Sequence, residues 1–577
     1  MKNFEIARAF EEIADLLELK EENIFRIRAY RRAAQNIESL AEDIASVATR
    51  GALEQIPGIG KDLALKIQEY LKTGRMNDLE ELRQEVPKGV VELMNLQSVG
   101  PKTAKLLYEK LQVDSVEKLE ALARAGTLVG LPGIREKKQE DILRGIELWK
   151  KGQERMPLGK ALPLAKALVA ALKDLKEVQE IEVAGSLRRW KETIGDIDIL
   201  VASSKPAKVM GAFVNLPGVQ EVLLQGETKS SIRHVEGIQV DLRVLEPGAF
   251  GAALQYFTGS KQHNIRVRDL ASRKGLKVSE YGVFDEKTGG RIAGETEEEV
   301  YEAVGLPFIP PELREDTGEV EVALEGKLPR LIQLSDIKGD LHAHTNWSDG
   351  HHPLEELIEA AYRKGYRYMI VSDHSRSQTV AGGLTAERLL DQVKKLRALQ
   401  KRYKHFRILA GCECDTLADG RMDFSDEVLS QLDIVLAAVH SRFKQSKEEM
   451  TRRIIAALKN PYVNILVHPT GRLIGERAPY EVDLEAVFQV ARAEGKAVEI
   501  NSSPQRLDLN DLHARRAKEM GVRISIDTDT HFLDHLGNIA FGVAVARRAW
   551  IEKGDVVNTM PLQGLLQWAH RGRKKRA

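Results

Sequence analysis

This sequence is poor in cysteine, and it lacks long apolar runs and a signal-peptide pattern. Its 577 residues include only two cysteines, Cys412 and Cys414, which excludes a disulfide framework and indicates a reducing cytoplasm. No uninterrupted apolar run is long enough to span a bilayer. The N-terminal segment carries Glu11, Glu12 and Asp15 in place of the apolar stretch of a signal peptide. We therefore expect a cytoplasmic protein that does not associate with a membrane.

The sequence also lacks a net charge, because 86 Lys and Arg residues balance 86 Asp and Glu residues. This balance neither requires nor excludes nucleic acid as a partner, since local charge decides such binding. Basic residues concentrate at 26–32 and 571–576, and such runs are by default solvated faces or chain ends. Hydrophobic residues make up 43%, which supports packed cores, and the length predicts several domains.

Hydrophobic periodicity divides the chain into parts. The first third reads as short helices, and after about residue 181 a period of two predicts strands at 181–184, 196–202 and 238–245. A proline-rich acidic stretch predicts a linker at 311–334. Beyond residue 336, short apolar strands alternate with helical stretches, which is typical of a parallel, barrel-like α/β domain. The strands predicted there span 369–371, 408–410, 434–439, 465–467, 497–500 and 523–526.

Three glycine-bearing turns lie between helical segments of the first third, at 57–60, 99–101 and 132–134. Such a turn lets the backbone approach a phosphate, and the next helix offers its free N–H groups. One copy alone would be interpreted as a helix C-cap, but the repetition favours helix-hairpin-helix modules that hold the DNA backbone without reading sequence. The predicted DNA-binding residues are Gly58, Gly60, Gly100, Lys102 and Gly133.

Two short motifs, GSLRR at 185–189 and GDID at 195–198, give the strongest signal in the first half. Asp196 and Asp198 point to one face of a strand, and Asp241 offers a third carboxylate from another strand. Three carboxylates so placed suit two Mg²⁺ ions that flank an in-line phosphoryl transfer. A strand that runs into Gly-Ser and then a helix forms a phosphate cradle. The predicted cradle residues are Gly185, Ser186, Arg189 and Gly195.

These motifs resemble the family X DNA polymerases, of which DNA polymerase beta is the familiar member, over roughly residues 1–310. The segment YFTGS at 256–260 resembles the family's sugar-pocket motif, which implies deoxynucleotide substrates. The resemblance implies that a primer 3′-hydroxyl attacks the α-phosphate and that pyrophosphate leaves. Asp241 would help activate the hydroxyl, while Asp196 and Asp198 would hold both ions. The other nucleotide-binding residues implied are Tyr256, Phe257, Gly259, Asn264 and Arg268.

Lys66 matches the lysine that forms a Schiff base with an abasic sugar in the family's lyase domain. That chemistry needs a neutral amine, so the pKa of Lys66 would have to be lowered by burial or nearby cations. Tyr30 also matches the family, whereas Arg26 stands where the family carries a phosphate-binding lysine. A plain phosphate contact in a DNA-binding helix is the alternative role for Lys66.

Histidines and acids stand at the ends of successive predicted strands in the second half. In a barrel of parallel strands these ends converge on one mouth, where such folds keep their chemistry. Mixed imidazole and carboxylate ligation suits Mn²⁺ or Zn²⁺, and nine candidates imply two or three ions. Such a cluster activates water and stabilises the leaving oxygen of a phosphoester. The candidates are His342, His344, Asp349, His374, Glu413, His440, His468, Asp529 and His531.

This set resembles the metal ligands of the polymerase and histidinol phosphatase (PHP) domain, over roughly residues 335–577. The resemblance implies a distorted (β/α)7 TIM-like barrel and 3′–5′ exonuclease action, with possible cleavage at abasic sites. Cys412 and Cys414 flank Glu413 and should face the opposite side of their strand, where they pack. Residues expected to support the ligands are Asp373, Asp527, His351 and His352.

The sequence thus predicts a monomeric repair enzyme that fills short gaps and processes 3′ ends, with gapped or primer-template DNA and dNTPs as partners. One alternative is a small-molecule phosphoesterase with a DNA-binding N-terminal half, and another is a DNA-end scaffold. The predicted domains are a lyase-like helical domain at 1–85, a second helix-hairpin-helix subdomain at 86–150, an α+β nucleotidyltransferase palm at 151–245, a nucleotide-selecting subdomain at 246–310, the linker at 311–334 and the barrel at 335–577.

Overall fold

The structure is a computed structural model that describes residues 2–571 except 21, 39–43, 57, 87, 95, 97 and 98. Pro57 of the first glycine turn and most of the basic stretch at 571–576 therefore lie outside the described residues. The chain divides into two compact units, Met1–Gln153 and Glu154–Ala577. None of the described helices combines the length and the hydropathy that crossing a membrane requires.

The N-terminal unit is helical throughout its described residues, and two apolar cores hold it together. The first core lies within residues 6–82, where Phe10 packs edge-on against Tyr30 at 5.4 Å between ring centroids. The second core lies mainly within residues 90–146 and buries Leu93 and Leu107 completely. The α-helices of this unit are Lys2–Leu19, Ile24–Glu38, Ile44–Thr49, Lys61–Thr73, Asn77–Glu85, Lys88–Leu93, Pro101–Leu111, Val116–Arg124 and Glu136–Glu154.

A five-stranded sheet forms the centre of the palm. The palm contains seven strands in chain order: β1 (Met156–Pro157), β2 (Glu180–Val183), β3 (Thr193–Ile194), β4 (Asp196–Ala202), β5 (Val219–Gln225), β6 (Lys229–His234) and β7 (Gln239–Leu245). The short strands β1 and β3 pair with each other, and the other five form the central sheet. The order in the sheet is β2-β4-β7-β6-β5, and only β4 and β7 are parallel. Alternate apolar residues of β4 pack on helices Leu158–Lys173 and Pro206–Phe213, while Leu200 and Ala202 on the other face pack on helix Phe250–Thr258.

The segment after the palm is a small α+β layer. It carries a three-stranded antiparallel sheet of β8 (Leu276–Ser279), β9 (Gly282–Asp285) and β10 (Arg291–Ala293), with β9 in the middle. Its helices are Phe250–Thr258, Lys261–Arg273 and Glu297–Val304.

The stretch at 311–334, predicted as a linker, is folded and packed. It contains helix Glu319–Leu324, and its Arg314 is fully buried. The Arg314 guanidinium donates to Glu297 Oε1 at 2.6 Å and to the Ile309 carbonyl at 2.8 Å. Glu319 is also buried and accepts from His263. The stretch is therefore not a linker in this structure, and Glu319 of its acidic residues takes part in a buried pair.

Seven consecutive parallel strands form the C-terminal barrel, in sheet order identical to chain order. They are β11 (Gly339–Asp340), β12 (Tyr368–Val371), β13 (Arg407–Asp415), β14 (Ile434–Ala438), β15 (Val463–Leu466), β16 (Ala497–Asn501) and β17 (Arg523–Asp527). The first and last strands approach each other, since Leu341 N donates to Asp527 Oδ1 at 2.9 Å and Ala343 bridges Thr530. The connecting helices are Leu354–Arg363, Ala386–Leu399, Asp426–Leu429, Lys447–Leu458, Leu484–Glu494, Asp511–Glu519, Ile539–Arg548 and Leu562–Ala569.

Alternation along the barrel strands separates an inner core from an outer one. Ile370 and Leu409 belong to an inner cluster that Trp568 of the last helix also joins. Cys412 and Cys414 belong to the outer cluster, as expected for packing residues, and both thiols are free. Glu413 lies between them on the inner face. The helical N-terminus, the palm and the barrel confirm the predicted fold class.

Candidate active sites

The three predicted polymerase aspartates lie on two neighbouring strands. Asp198 of β4 stands opposite Asp241 of the parallel strand β7, and Asp196 stands opposite Gln239. Because Asp196 and Asp198 alternate with the buried Ile197, both project to the face that helix Phe250–Thr258 covers. Three carboxylates on one face form an oxygen-rich donor set of the kind that Mg²⁺ prefers.

Electrostatics in the palm indicate a site built for cations. Burial, followed by the negative charges of Asp196 and Asp241, raises the pKa of Asp198 to about 7. Burial opposes ionisation of Asp241, but hydrogen bonds from Gln239, Lys229 and Ser231 lower its pKa overall. The Asp241 carboxylate is turned to Lys229 Nζ at 2.9 Å and to Gln239 Nε2 at 2.8 Å. The Lys229 ammonium thus neutralises part of the negative charge of Asp241, which a bound divalent ion would also neutralise.

Gly185 is the cradle residue whose identity the geometry explains most directly. Its φ is +62°, and a Cβ at this position would lie 2.3 Å from Asp198 Oδ2. Both the left-handed backbone and the missing side chain are therefore required for the cradle to approach the aspartate.

We expect Gly185→Ala to lower primer extension by at least about tenfold, because the methyl group pushes Asp198 aside or opens the turn. Steady-state extension on a primer-template measures this loss. Gly211→Ala is the matched control, since a Cβ on this palm glycine meets nothing within 4 Å. Equal activity of the two variants would contradict the prediction.

Arg189, predicted to be available for a triphosphate, is already engaged. Its Nε donates to Glu315 Oε1 at 3.1 Å, and its Nη1 donates to the Thr258 carbonyl. Ser186 and Arg189 nevertheless line one open cleft with Asp196, of about 650 Å³. A phosphate that binds Arg189 must therefore compete with Glu315. The neighbouring Gly195 lies close to a second arginine, since its Cβ would lie 3.1 Å from Arg155 Nη1.

The predicted sugar-pocket residues sit at the end of helix Phe250–Thr258. The rings of Tyr256 and Phe257 meet edge-on at 5.1 Å, and the Arg243 guanidinium lies 4.3 Å from the Phe257 centroid. Asn264 is buried, and its Nδ2 donates to the Tyr256 carbonyl at 2.7 Å. In this structure Asn264 braces the aromatic pair, while Arg268 donates to the Asn264 carbonyl at 3.3 Å. Gly259 has φ +68° and approaches Arg189.

Lys66 lies in an ion-paired cluster within the N-terminal unit. Its Nζ contacts Asp78 Oδ2 at 2.8 Å and Asp62 Oδ1 at 3.4 Å, and the Tyr30 hydroxyl donates to Asp78. Burial acts to lower the pKa of Lys66, but the Asp78 hydrogen bond and the nearby negative charges raise it overall. The lowered pKa that a Schiff-base lysine needs is therefore not what this structure provides.

The first two glycine turns have the same geometry at the start of a helix. Gly60 is the N-cap of Lys61–Thr73 and Gly100 is the N-cap of Pro101–Leu111, and neither cap has a side chain that hydrogen-bonds the first turn. Each helix therefore starts without a capping side chain over its first turn, and Lys102 stands in the first turn of the second helix, whose Pro101 has no N–H to offer. Gly58 and Gly133 both take φ +79°, but helix Glu136–Glu154 begins three residues after Gly133 and with an acid, which departs from the pattern.

All nine predicted ligands of the second half meet at one mouth of the barrel. Eight of them form three overlapping groups, within each of which the potential donor atoms lie within 4.8 Å of one another, and His468 joins the cluster through Glu413. Glu413 is central, with Oε2 2.9 Å from His374 Nδ1 and Oε1 2.7 Å from His468 Nε2. The compact groups are His344, Asp349, His374 and His531; His342, His344 and Asp529; and His374, Glu413 and His440.

Five buried ring nitrogens at this mouth form no hydrogen bond of acceptable geometry within the described residues. A buried polar atom without such a bond carries a desolvation cost of about 1–3 kcal/mol. Coordination of an ion by the free lone pairs removes that cost, so the residues fit a metal centre of imidazole and carboxylate ligands. His468 and Asp529 also take positive φ, of 30° and 53°. The nitrogens are His342 Nε2, His344 Nδ1 and Nε2, His374 Nδ1 and His468 Nδ1.

A second layer of acids orients the ligands. Asp415 lies 2.5 Å from His440 Nδ1, and Asp373 accepts hydrogen bonds from Thr345, Ser348 and Gln392. Asp527 accepts from the Leu341 amide, which ties the first strand to the last. His351 and His352 turn away, toward Phe532 and Glu356.

Glu499 is a candidate site residue that the sequence analysis missed. Its Oε1 lies 2.7 Å from His342 Nδ1, and its Oε2 accepts from the His468 amide at 2.6 Å. Burial raises the pKa of Glu499 to about 8. The available signal was one acid within the apolar strand predicted at 497–500, the strand to which no ligand was assigned.

We expect Glu499→Gln to lower the affinity of the barrel for its metal ions by about 10- to 100-fold, because His342 loses the carboxylate that fixes its ring. Metal content after dialysis, measured by elemental analysis, tests this directly. Primer extension should stay unchanged, since the palm aspartates are untouched. Full retention of bound metal would contradict the assignment.

Five known domain families match segments of the helical unit, the palm, the layer after the palm and the barrel. A helix-hairpin-helix domain matches residues 1–76, and a SAM-like helix-hairpin-helix tandem matches residues 90–147. The DNA polymerase beta palm matches residues 155–225, and the DNA polymerase beta thumb matches residues 253–315. The PHP domain matches residues 340–503.

Some similar proteins match nearly the whole chain, and others match only part of it. The chain is 40% identical over 565 residues to the DNA polymerase/3′-5′ exonuclease PolX of Bacillus subtilis (strain 168), across 98% of each protein. A probable phosphatase of Thermoanaerobacter sp. (strain X514) is 32% identical over 38% of this chain and 89% of its own length. DNA polymerase lambda of Rattus norvegicus is 26% identical over 50% of this chain and 52% of its own length. The chain therefore belongs to the family X DNA polymerases that carry a C-terminal PHP domain.

Proposed function

We propose that this enzyme fills short gaps in DNA during base excision repair and trims DNA 3′ ends at its PHP site. The observation that carries the proposal is the presence, in one chain, of three palm aspartates and nine converging candidate ligands in the barrel. The relative that matches both halves is named a DNA polymerase and a 3′-5′ exonuclease. Two N-terminal glycine turns suited to DNA phosphates support gapped or primer-template DNA as the substrate.

In nucleotidyl transfer, the primer 3′-hydroxyl attacks the α-phosphate of a dNTP and pyrophosphate leaves. Asp241 has a lowered pKa, so its carboxylate is ionised and can accept a hydrogen bond from the 3′-hydroxyl. Asp196 and Asp198 would hold Mg²⁺, which when bound supplies neutralisation of the triphosphate charge. Tyr256 and Phe257 crowd a ribose 2′-hydroxyl and so select deoxynucleotides.

At the barrel mouth, the nine ligands would hold two or three Mn²⁺ or Zn²⁺ ions. Bound ions supply activation of water and stabilisation of the leaving 3′ oxygen. Asp415 and Glu499 orient the rings of His440 and His342, so the donor atoms are fixed before substrate arrives. Cleavage at abasic sites would use the same ligands.

For Lys66, the ion pair with Asp78 favours the phosphate-contact role over the lyase role. Borohydride trapping on DNA with a 5′ abasic sugar separates the two roles. We expect no covalent adduct, together with weaker gap binding by Lys66→Ala. An adduct that forms with the wild type and is absent from Lys66→Ala would establish the lyase instead.

Gap filling is tested by comparing primer extension on two DNA substrates. A 5′-labelled primer is annealed to an open template or across a one-nucleotide gap with a 5′-phosphate, with Mn²⁺ or Mg²⁺ and with or without dNTPs. We expect faster extension across the gap and shortening without dNTPs. Equal extension on both substrates would leave a polymerase without a gap-filling role, and no shortening would favour a small-molecule phosphoesterase at the barrel. We propose a cytoplasmic location, and the two free, buried cysteines are compatible with a reducing compartment. The monomeric state stays a prediction.

A further inference from the structure

The cleft that holds the predicted triphosphate residues is not made by the palm alone. Ser186, Arg189 and Asp196 line one side, and Asp511 and Arg548 of the PHP domain line the other. Asp511 begins helix Asp511–Glu519, and Arg548 ends helix Ile539–Arg548. The two catalytic domains therefore share the space in which a nucleotide would bind.

Arg548 is held in this cleft by four hydrogen bonds. Its side chain is 5% exposed. Nη1 donates to the Arg189 backbone carbonyl at 2.7 Å and to Glu315 Oε1 at 3.0 Å. Nε and Nη2 both donate to Asp511 Oδ2, at 2.9 and 2.6 Å. A buried guanidinium so fully engaged fixes the backbone at the end of the GSLRR turn.

Arg548 and Arg189 share one carboxylate oxygen. Glu315 Oε1 accepts from Arg189 Nε at 3.1 Å and from Arg548 Nη1 at 3.0 Å. A triphosphate that draws Arg189 away would leave Glu315 with Arg548 as its close partner. Without Arg548, the release of Arg189 would leave the largely buried Glu315 carboxylate compensated, among the described residues, by the more distant Lys191 alone, whose Nζ lies 3.9 Å away, and this is costly. Arg548 therefore lowers the free-energy cost of moving Arg189 from Glu315 to phosphate.

We propose that Arg548 is a positioning residue for the incoming deoxynucleoside triphosphate, supplied to the polymerase site by the PHP domain. It fixes the backbone of Arg189 and keeps Glu315 neutralised when the Arg189 side chain turns to phosphate. The inference depends on nucleotidyl transfer alone and not on any preference for gaps.

Single-nucleotide incorporation on an open primer-template tests the proposal with the full chain. We expect Arg548→Met to raise the KM for dNTP by about tenfold, with kcat changed less than about threefold. The KM for pyrophosphate in the reverse reaction should rise as well, because pyrophosphate occupies the same part of the cleft. Primer-template affinity and 3′-end shortening should stay at wild-type values.

Arg547→Met is the matched control on the same helix. Arg547 donates to Glu312 at 2.7 Å and to the Ile332 carbonyl at 3.0 Å, so its replacement removes an arginine and its hydrogen bonds from the same helix without touching Arg189. An unchanged dNTP KM in Arg548→Met, or an equal rise in Arg547→Met, would overturn the proposal. If Arg548→Met loses both activities through misfolding, Arg548→Lys decides, since it keeps the charge but not the paired donors. If Arg548→Lys raises the dNTP KM, by less than the change expected for Arg548→Met, and keeps normal shortening, the proposal is supported. An unchanged dNTP KM in Arg548→Lys overturns it. Failure of extension by the wild type would instead refute the polymerase function itself.

Discussion

Replacing His344 with alanine should abolish 3′-end shortening, by at least about a thousandfold, and leave primer extension intact. His344 belongs to two of the three ligand groups at the barrel mouth. Its Nε2 lies 3.2 Å from Asp529 Oδ1 and 3.4 Å from Glu413 Oε2, and its Nδ1 lies 3.7 Å from Asp349 Oδ1. The loss of this one ring therefore disrupts two ion positions at once.

The experiment measures shortening of a 5′-labelled primer with Mn²⁺ in the absence of dNTPs. His352→Ala is the control, because His352 follows in the same loop, its ring pairs with Glu356, and it belongs to none of the three ligand groups found among the described residues. Metal content of both variants should be compared, and His344→Ala alone should lose ions. Shortening that survives in His344→Ala would place the nuclease outside the barrel mouth.

Replacing Asp198 with asparagine should give the reverse pattern, with extension lost by at least about a thousandfold and shortening unchanged. Asp198 stands between Asp196 on its own strand and Asp241 on the next, beneath the backbone of Gly185. The amide keeps the volume and removes the charge that an ion requires. Since burial and neighbouring carboxylates oppose ionisation of Asp198, the neutral variant should fold at least as stably in metal-free buffer.

Glu182→Gln is the matched control for this substitution, because Glu182 is an exposed acid on β2, the strand next to β4. Extension is measured as single-nucleotide incorporation, and thermal unfolding without metal reports stability. If Asp198→Asn retains more than roughly a hundredth of the wild-type rate, Asp198 is not an ion ligand for the reaction. Together the two substitutions establish whether the sites are independent.

The convergence of the candidate barrel ligands could be predicted because a parallel barrel imposes a simple rule. Its strands are apolar, so a histidine or acid at a strand end has few structural explanations, and every such end points to one mouth. Glu413, between two packing cysteines, follows from strand alternation alone. Glu499 escaped the same rule because a single acid in a short strand gives no sign of which ring it touches.

What the sequence could not provide is the partner of each charge. The sequence predicts Arg189 in a phosphate cradle, but its side chain pairs with Glu315, which lies 126 residues away in the stretch predicted as a linker. Arg548 contacts Arg189 across 359 residues. For Lys66, the direction of the pKa shift depends on the ion pair with Asp78, and the sequence pattern does not connect these two residues. Pairings between distant segments are set by the tertiary fold.

The barrel closes through contacts between its first and last strands, and this has a consequence for the newly made polypeptide. Domains generally fold as the ribosome releases them, from the N-terminus onward. The palm aspartates at 196–241 emerge early, whereas the ligands run from His342 to His531 and the Asp527 contact that ties the barrel ends comes late. During synthesis the growing chain can therefore form the polymerase sheet long before it can retain a full set of barrel ions. Ribosome stalling or truncation before residue 527 would release a product whose nuclease half is incomplete.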